Sequence, residues 1–470
     1  MDLSGIRLKR MGAKGVCIAD APDGRVMLVR GGVPGDVVSV KIRRKRKRMY
    51  EAVVDQVEQA SDLRIEPVCK HTAMCGGCSW QQMDYEAQSK AKGQEVYDQL
   101  RRHGHILCDD MRPIIAAPSP LRYRNKMEFS FSAFRWLTED EIHGEETISR
   151  HALGFHVPGF WDRILDIETC HLQGEPSNAI RNFIRDQAHE RGISFWRPRD
   201  KTGVLRTLML RSTQDGQWML VMQFGEEPGQ AGMQLLDDVL KAFPGIVSLY
   251  FAVNEKGNDS IYDLDLTLHH GEAYITENMP SAIEGGFPLS FQIGPKSFYQ
   301  TNPVQAQRLY MEALNLAGIT EGDTVYDLYT GTGTIALFMA QKAAKVIGIE
   351  SVPEAVEAAD RNAERNGISH AVFEVGDMRK AFGESFIERH GRPDVVITDP
   401  PRDGMHPKVV ERLIDLKAPK IVYISCNPAT QARDLEKLQA VYDIVTVQPV
   451  DMFPQTHHVE NVALLHLKNA

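Results

Sequence analysis

The 470-residue sequence has no apolar run approaching the roughly 18 residues a membrane-spanning helix needs. Its amino terminus, MDLSGIRLKRMGAKG, is basic but lacks the apolar stretch of a secretory signal. A cytoplasmic location without membrane attachment is expected. Cysteine is scarce: seven residues, an odd number, which in a reducing compartment argues against a disulfide framework. There is no internal repeat, no low-complexity segment long enough to be a disordered linker, and no feature that marks an obligate protein partner. The glycine-rich stretch Tyr329-Thr330-Gly331-Thr332-Gly333-Thr334 lacks the third glycine of a dinucleotide fingerprint and the lysine of a triphosphate loop. That disfavours NAD and ATP.

What is present is an ordinary globular composition, 43% hydrophobic and 25% charged, long enough for roughly three domains. The net charge of −9 conceals an asymmetry, because residues 1–60 hold 13 Lys/Arg against 7 Asp/Glu. Seven of the eight residues 41–48 (KIRRKRKR) are basic. A lysine-rich run can simply protect a sheet edge, but so dense a cluster repels itself and suits a polyanion, with nucleic acid the expected partner. Short β-type runs separated by Gly, Pro and Asp fill the same 60 residues and predict a small OB-like barrel, a scaffold that grips single strands in a basic groove.

Cys69, Cys75 and Cys78 form a C-x5-C-x2-C cluster around Gly76-Gly77. Thiolates so spaced read as ligands of an iron–sulfur cluster, with zinc the rival and His71 or His171 able to replace one sulfur. A cubane needs a fourth ligand; Cys170 is the first choice, Cys108 and Cys17 the next. A helix is expected over residues 84–102. Residues 112–285 read as an α+β domain in which 121–126 (LRYRNK) mixes cations with an aromatic ring, as RNA-binding surfaces do. Arg197, Arg199, Lys201, Arg206 and Arg211 extend that surface in this reading.

From residue 286 strands and helices alternate, predicting a doubly wound α/β domain. The 324–328 strand leads into the glycine turn, a helix over 335–344 comes next, and Glu350 ends the second strand, 19 residues past Gly331. An acid there accepts hydrogen bonds from ribose hydroxyls; with Asp377 after the third strand, in reach of an adenine amino group, the pattern favours S-adenosylmethionine. Two further apolar runs end at Asp399-Pro400-Pro401-Arg402 and Ser425-Cys426-Asn427-Pro428. If these strands are neighbours, Asp399 and Cys426 face one crevice. A lone cysteine is more often structural, but this one sits on a proline-stiffened turn beside the cofactor loop.

Arginine stands where amine methyltransferases place an aromatic after D/N-P-P, so the platform for a planar amine is missing. A thiol instead suits carbon 5 of a pyrimidine, which attacks an electrophilic methyl only after a nucleophile has added at carbon 6. The proton on carbon 5 must then leave, which requires a base. Glu460 opens the last apolar strand and is the candidate; His457 and His458 are alternatives.

SCNPATQARDL, DPPRDG, HHVENVALL, Phe298-Tyr299-Gln300-Thr301-Asn302 and the cysteine cluster together resemble the RNA 5-methyluridine methyltransferase family along essentially the whole chain. The pattern Gly12-Ala13-Lys14-Gly15 with Val33-Pro34-Gly35-Asp36 resembles its TRAM module. The resemblance implies Cys426 as nucleophile and Glu460 as base. It assigns Gln300, Tyr329, Thr334, Glu350, Asp377 and Asp399 to S-adenosylmethionine and the active site, with Asp399 also orienting the uracil. Thr334 stands where some relatives have asparagine. Cys69, Cys75, Cys78 and Cys170 become ligands of a 4Fe-4S cluster that organises the RNA-binding part. The expected layout is a TRAM-like barrel at 1–60, a cluster segment at 61–111, a central RNA-binding domain at 112–285 and a Rossmann-like methyltransferase domain at 286–470. Barrel and cluster together lean toward 23S ribosomal RNA over transfer RNA. A non-catalytic RNA-binding or ribosome-assembly factor on the same scaffold, and an amine methyltransferase, are the rival readings.

Overall fold

A computed structural model describes residues 2–72, 74–145 and 148–468. Strands Asp2–Arg7, Arg10–Met11, Cys17–Asp20, Val26–Arg30, Val37–Lys45 and Met49–Gln59 form one sheet with the spatial order first, fifth, sixth, fourth, third, second. Alternation along these strands puts Ile6, Cys17, Met27, Val29, Val38 and Val40 on one buried face. Register shifts between the fifth and sixth strands curl the sheet into a half-barrel. The basic run lies at the turn end of that hairpin. Asp36 fixes the 33–36 turn: its carboxylate accepts from the backbone N–H of Val33 (2.7 Å) and Ser61 (2.9 Å) and pairs with Arg64.

The central sheet runs Ile164–Asp166, Ala152–His156, Lys126–Ser132, Leu205–Ser212, Trp218–Phe224, Ile246–Val253, Thr267–Gly271. Its one parallel pair, Trp218–Phe224 with Ile246–Val253, is joined through helix Gly229–Ala242, as parallel neighbours require. This helix and Ser177–Glu190 cover one face. From the other face Met209, Val221 and Tyr250 reach into the same core as Leu309, Val422 and Ile424 of the carboxyl-terminal part.

The carboxyl-terminal sheet is α/β and doubly wound. Its order is Ala371–Val375, Lys345–Glu350, Thr324–Leu328, Val395–Thr398, Lys420–Ser425, Glu460–Leu467, Tyr442–Val450, Asp110–Met111. The first five strands are parallel and Glu460–Leu467 is antiparallel to both neighbours. Among the described residues no helix is long and apolar enough to cross a membrane.

The expected boundaries at 111/112 and 285/286 do not coincide with these layers. Helix Tyr85–His103 packs Val96 and Leu100 into the core with Leu413 and Leu435, and Asp110–Met111 is an edge strand of the carboxyl-terminal sheet. Residue 286 lies in the turn of the hairpin Ile275–Met279/Leu289–Ile293. Ser290 and Gln292 of that hairpin donate to Asn366 and Asn362 of helix Pro353–Arg365 and its carboxyl-terminal cap, so the whole hairpin belongs with the carboxyl-terminal sheet and its helices.

Candidate active site

Strand register brings the candidate residues together. Leu328 is level with Thr398, and Thr398 with Tyr423, so Tyr329 and Asp399 leave the sheet on the same side. Ser425 pairs with Asn461 on the antiparallel strand, which sets Cys426 and Glu460 at one level. Cys426 occupies the turn before helix Pro428–Leu438, whose start is capped by the Asn427 side chain with Pro428 at the first position. The helix braces the 399–406 loop. Asn427 and Thr430 both donate to the Arg402 carbonyl (3.0 and 3.2 Å), while Asp434 accepts from Met405 N–H and Tyr423 Oη, each at 2.8 Å.

The electrostatics of the crevice are those of crowded, dehydrated acids. Burial, then the charges of Glu460 and Asp399, push the Cys426 thiol up to about 12; Arg402 acts in the opposite sense. Glu460 is 4% exposed, and burial, then Asp399, hold its carboxyl well above the usual range. Asp399, half-buried by surface but densely surrounded, is pushed up to about 7 by the loss of water. His458 is instead lowered to about 4 by burial, His457 and Arg402, which makes it a poor proton acceptor beside the carboxylates.

A cleft of ≈ 190 Å³ adjoins this crevice, lined by Tyr329, Ser351, Asp377, Arg379, Pro401 and His406. Gly331 N–H donates to Glu350 Oε2 (3.1 Å), and Glu350 Oε1 accepts from Ser351 and Val352 N–H (2.6 and 3.0 Å). Gly333 needs its glycine: φ is +81°, and a Cβ would lie 2.9 Å from Ala359 Cβ. Asp377 caps the short helix Met378–Ala381 and pairs with Arg379 at 2.5 Å, which lowers its carboxyl to about 2. Thr334 meets the buried Tyr310 phenol. Gln300 lies on the strand-to-helix connection, its carbonyl accepting from Asn125 Nδ2 (3.1 Å).

Asp327 lies at the end of the central strand, fully buried and pushed up to about 7 by that burial. Thr330 Oγ1 donates to one oxygen (2.6 Å), and the other has no partner among the described residues. Asp377 in the cleft lining, and Glu350 held at the glycine turn through Gly331 N–H, are acids placed to suit a cationic nucleoside such as S-adenosylmethionine.

Cys69, Cys75, Cys78 and Cys170 lie close enough for their charges to act on one another. The Cys78 thiol is raised by burial and then by Cys170, Cys75 and Cys69; Cys75 by burial and by Cys170 and Cys69. Backbone N–H groups of Gly77 and Leu172 and the Gln81 side chain lie in hydrogen-bonding reach of Cys75, Cys170 and Cys78. Among the described residues no three His, Cys, Asp or Glu side chains close on a point as one metal ion requires.

Two family models match this chain. "Methyltransferase domain" covers residues 325–403, and "tRNA (Uracil-5-)-methyltransferase" covers 387–468, the span that holds Asp399, Cys426 and Glu460. An uncharacterized RNA methyltransferase of Bacteroides thetaiotaomicron is 47% identical over 462 residues, 97% of this chain and 100% of that protein. Another from Porphyromonas gingivalis is 47% identical over 452 residues, 94% and 96% of the two chains. The chain belongs to the RNA uracil-C5 methyltransferase family. It is an S-adenosylmethionine-dependent RNA (uracil-5-)-methyltransferase. The crystal structure of the Pyrococcus abyssi tRNA (uracil-54, C5)-methyltransferase with S-adenosyl-L-homocysteine matches with a TM-score of 0.73 at 28% identity, covering 98% of this chain and 100% of that one.

In this methyltransferase Arg206 and Arg211 do not extend an RNA surface. Both are buried: Arg206 binds Asp259 and the carbonyls of Lys256 and Asn258, and Arg211 the carbonyl of Ser297. Their partners are loop carbonyls far along the chain, which no local pattern announces. Sequence reasoning also misses Asp327, Ser351, His406 and Asp434. Asp327 has a signal, an acid inside the apolar run Thr324–Leu328; the other three occupy loop or helix positions without one.

Proposed function

We propose that the enzyme methylates carbon 5 of a uridine through a covalent adduct at Cys426. The observation that carries this is the convergence of Cys426, Asp399 and Glu460 at one end of the sheet, beside the cleft that Tyr329 and Asp377 line. Cys426 Sγ, its proton passed through Glu460 to solvent before the step, adds as thiolate to carbon 6 of the uracil; carbon 5 gains enolate character and Glu460 is left ionised. Bound S-adenosylmethionine supplies the electrophilic methyl group. Glu460 then takes the proton from carbon 5, and the thiolate is expelled. Two close carboxylates out of water do not both ionise readily, so Asp399 can hold a proton and donate a hydrogen bond to the ring. Glu350 and Asp377 take the ribose and adenine; Tyr329, Thr334 and Gln300 complete the cofactor site by resemblance. The uridine must leave its stack to reach Cys426.

Cys69, Cys75, Cys78 and Cys170 are proposed as the ligands of a 4Fe-4S cluster. One zinc would draw its four sulfurs to within about 4 Å of one another. The larger cubane leaves them farther apart, which suits thiols that sense each other without closing on a point. The cluster would tie residues 69–78 to the loop at 170, whose His171 and Leu172 carbonyls accept from Arg122 and Arg124 N–H (both 2.8 Å). The half-barrel is the proposed TRAM-like RNA clamp. As substrate we propose structured RNA, with 23S ribosomal RNA the first candidate on the strength of barrel and cluster. Transfer RNA is the second, favoured by the whole-chain likeness to the Pyrococcus abyssi enzyme: an enzyme of that class has the same extent, so domain content alone does not choose.

Bulk RNA from cells fed 5-fluorouracil, incubated with enzyme and S-adenosylmethionine, should give a denaturation-resistant adduct, because fluorine cannot leave as a proton. The band should be absent with Cys426→Ala, and sequencing the attached RNA names its class. No band from the intact enzyme with cofactor bound would overturn the thiol mechanism.

A further inference from the structure

A second concavity, of ≈ 290 Å³, lies on the central sheet away from the methyl-transfer crevice. Its floor includes Ser130, and Trp196 and Trp161 are among its walls. Trp196 is buried with the Arg206 guanidinium 4.4 Å over its ring, whereas Trp161 at the rim is 66% exposed. An aromatic face left in water beside a cavity is available for a flat ring to cover. Edge polarity is supplied by His156, whose Nε2 is 3.5 Å from Ser130 Oγ.

Charge at the rim comes from the 197–202 turn. Arg197 and Arg199 are paired there with Asp200 and Asp162, while Lys201, at φ +54°, has no carboxylate partner among the described residues. Beside the cavity three guanidiniums, of Arg163, Arg197 and Arg199, surround the Phe134 ring at 5.1–5.6 Å. Aromatic walls, hydrogen-bonding edges and a rim cation are together the chemistry that holds an unstacked nucleobase and its phosphate.

We propose that this concavity receives a second nucleobase of the substrate RNA, with Trp161 stacked on its face and Lys201 against its phosphate. The inference rests on the proposed RNA mechanism and adds a specificity site to it. Strand Lys126–Ser132 links the two places: it starts beside the Asn125–Gln300 contact and ends in the pocket floor, seven residues and roughly 20 Å on. An RNA that yields one base to Cys426 loses stacking around it, and a neighbour a few nucleotides away, anchored here, offsets that loss.

The probe is a stem-loop copied from the RNA recovered in the Cys426 adduct, used with uridine for kinetics and with 5-fluorouridine for trapping. Trp161→Ala and, separately, Lys201→Glu should raise KM for the stem-loop about tenfold while kcat and adduct yield at saturating RNA stay at the wild-type level. Trp161→Phe should recover most of the loss, and ultraviolet crosslinking should attach a nucleotide to the peptide containing Trp161. An adduct from wild-type enzyme together with unaltered KM in both variants overturns the pocket alone. No adduct from the wild type overturns the pocket and the thiol mechanism together.

Discussion

Glu460 and Asp399 share a crevice in which burial, and for Glu460 then the charge of Asp399, raises the cost of ionising each, and in the proposed mechanism this pair governs the proton transfer. A proton acceptor must be ionised to act, and burial holds the Glu460 carboxyl above the usual range, so turnover should rise with pH as Glu460 ionises, measured as methyl transfer to saturating RNA. Glu460→Gln removes the acceptor without removing the thiol. It should abolish turnover and accumulate methylated RNA bound to Cys426, visible on a denaturing gel without any fluorinated base. The folded-state pKa of Asp399, about 7, lies above its ordinary 3.8. Below pH 4 folded and unfolded chains both hold the proton. Between 4 and 7 only the folded chain does, so stability drains away as pH rises. Asp399→Asn carries no such penalty, and its Tm should exceed the wild type by a few degrees at pH 8 and match it at pH 4. At this scale Cys426 and Glu460 were legible because each interrupts an apolar strand end. The coupling of Glu460 to Asp399 was not, because it depends on the antiparallel return of Glu460–Leu467.

The helix Tyr85–His103 shows what an element hides from its own sequence. Its start was readable, since Asp84 caps it by accepting from Glu86 and Ala87 N–H (3.0 and 3.2 Å). Its docking face was not: Gln88, Ser89 and Lys92 are polar residues, yet they are buried. Lys92 and Asp451 are both 0% exposed and 2.6 Å apart, Lys92 Nζ also reaches the Phe453 carbonyl (2.9 Å), and Tyr85 Oη reaches Asp451 (3.0 Å). Gln88 and Gln455 exchange two further bonds at 2.9 and 3.0 Å. The helix therefore holds residues 451–455, which lead to Glu460. Removing one member of a buried pair strands the other charge, so Lys92→Met should destabilise by about 3–5 kcal/mol, whereas Lys92→Met with Asp451→Leu should recover much of that. Thermal melts of the two variants decide it.

At the scale of the whole molecule the half-barrel packs against the carboxyl-terminal part. A Cβ added to Gly15 of the half-barrel would lie 3.1 Å from His457 Cβ and 3.2 Å from Trp80 Nε1, so barrel, cysteine segment and catalytic end touch at that glycine. A net charge of −9 gives such a molecule no general attraction for RNA, and affinity must come from where cations gather. The 41–48 run was legible as that place, but not how its charges divide. Lys41 pairs with Asp55 (2.5 Å) and Arg46 with Glu51 (2.8 Å), while Arg43, Arg44, Lys47 and Arg48 have no carboxylate partner among the described residues. Each phosphate neutralised on a single strand contributes roughly 0.7 to the slope of log K against log salt. Replacing those four by alanine should therefore weaken RNA binding at 0.15 M salt and flatten the slope by up to about three, with kcat at saturating RNA unchanged. Lys41→Ala, which removes a cation already paired, should change the slope less than replacing any one of the four. Filter-binding titrations across a salt series distinguish this from a hairpin whose charges only protect a sheet edge, for which all five substitutions would leave the slope where it was.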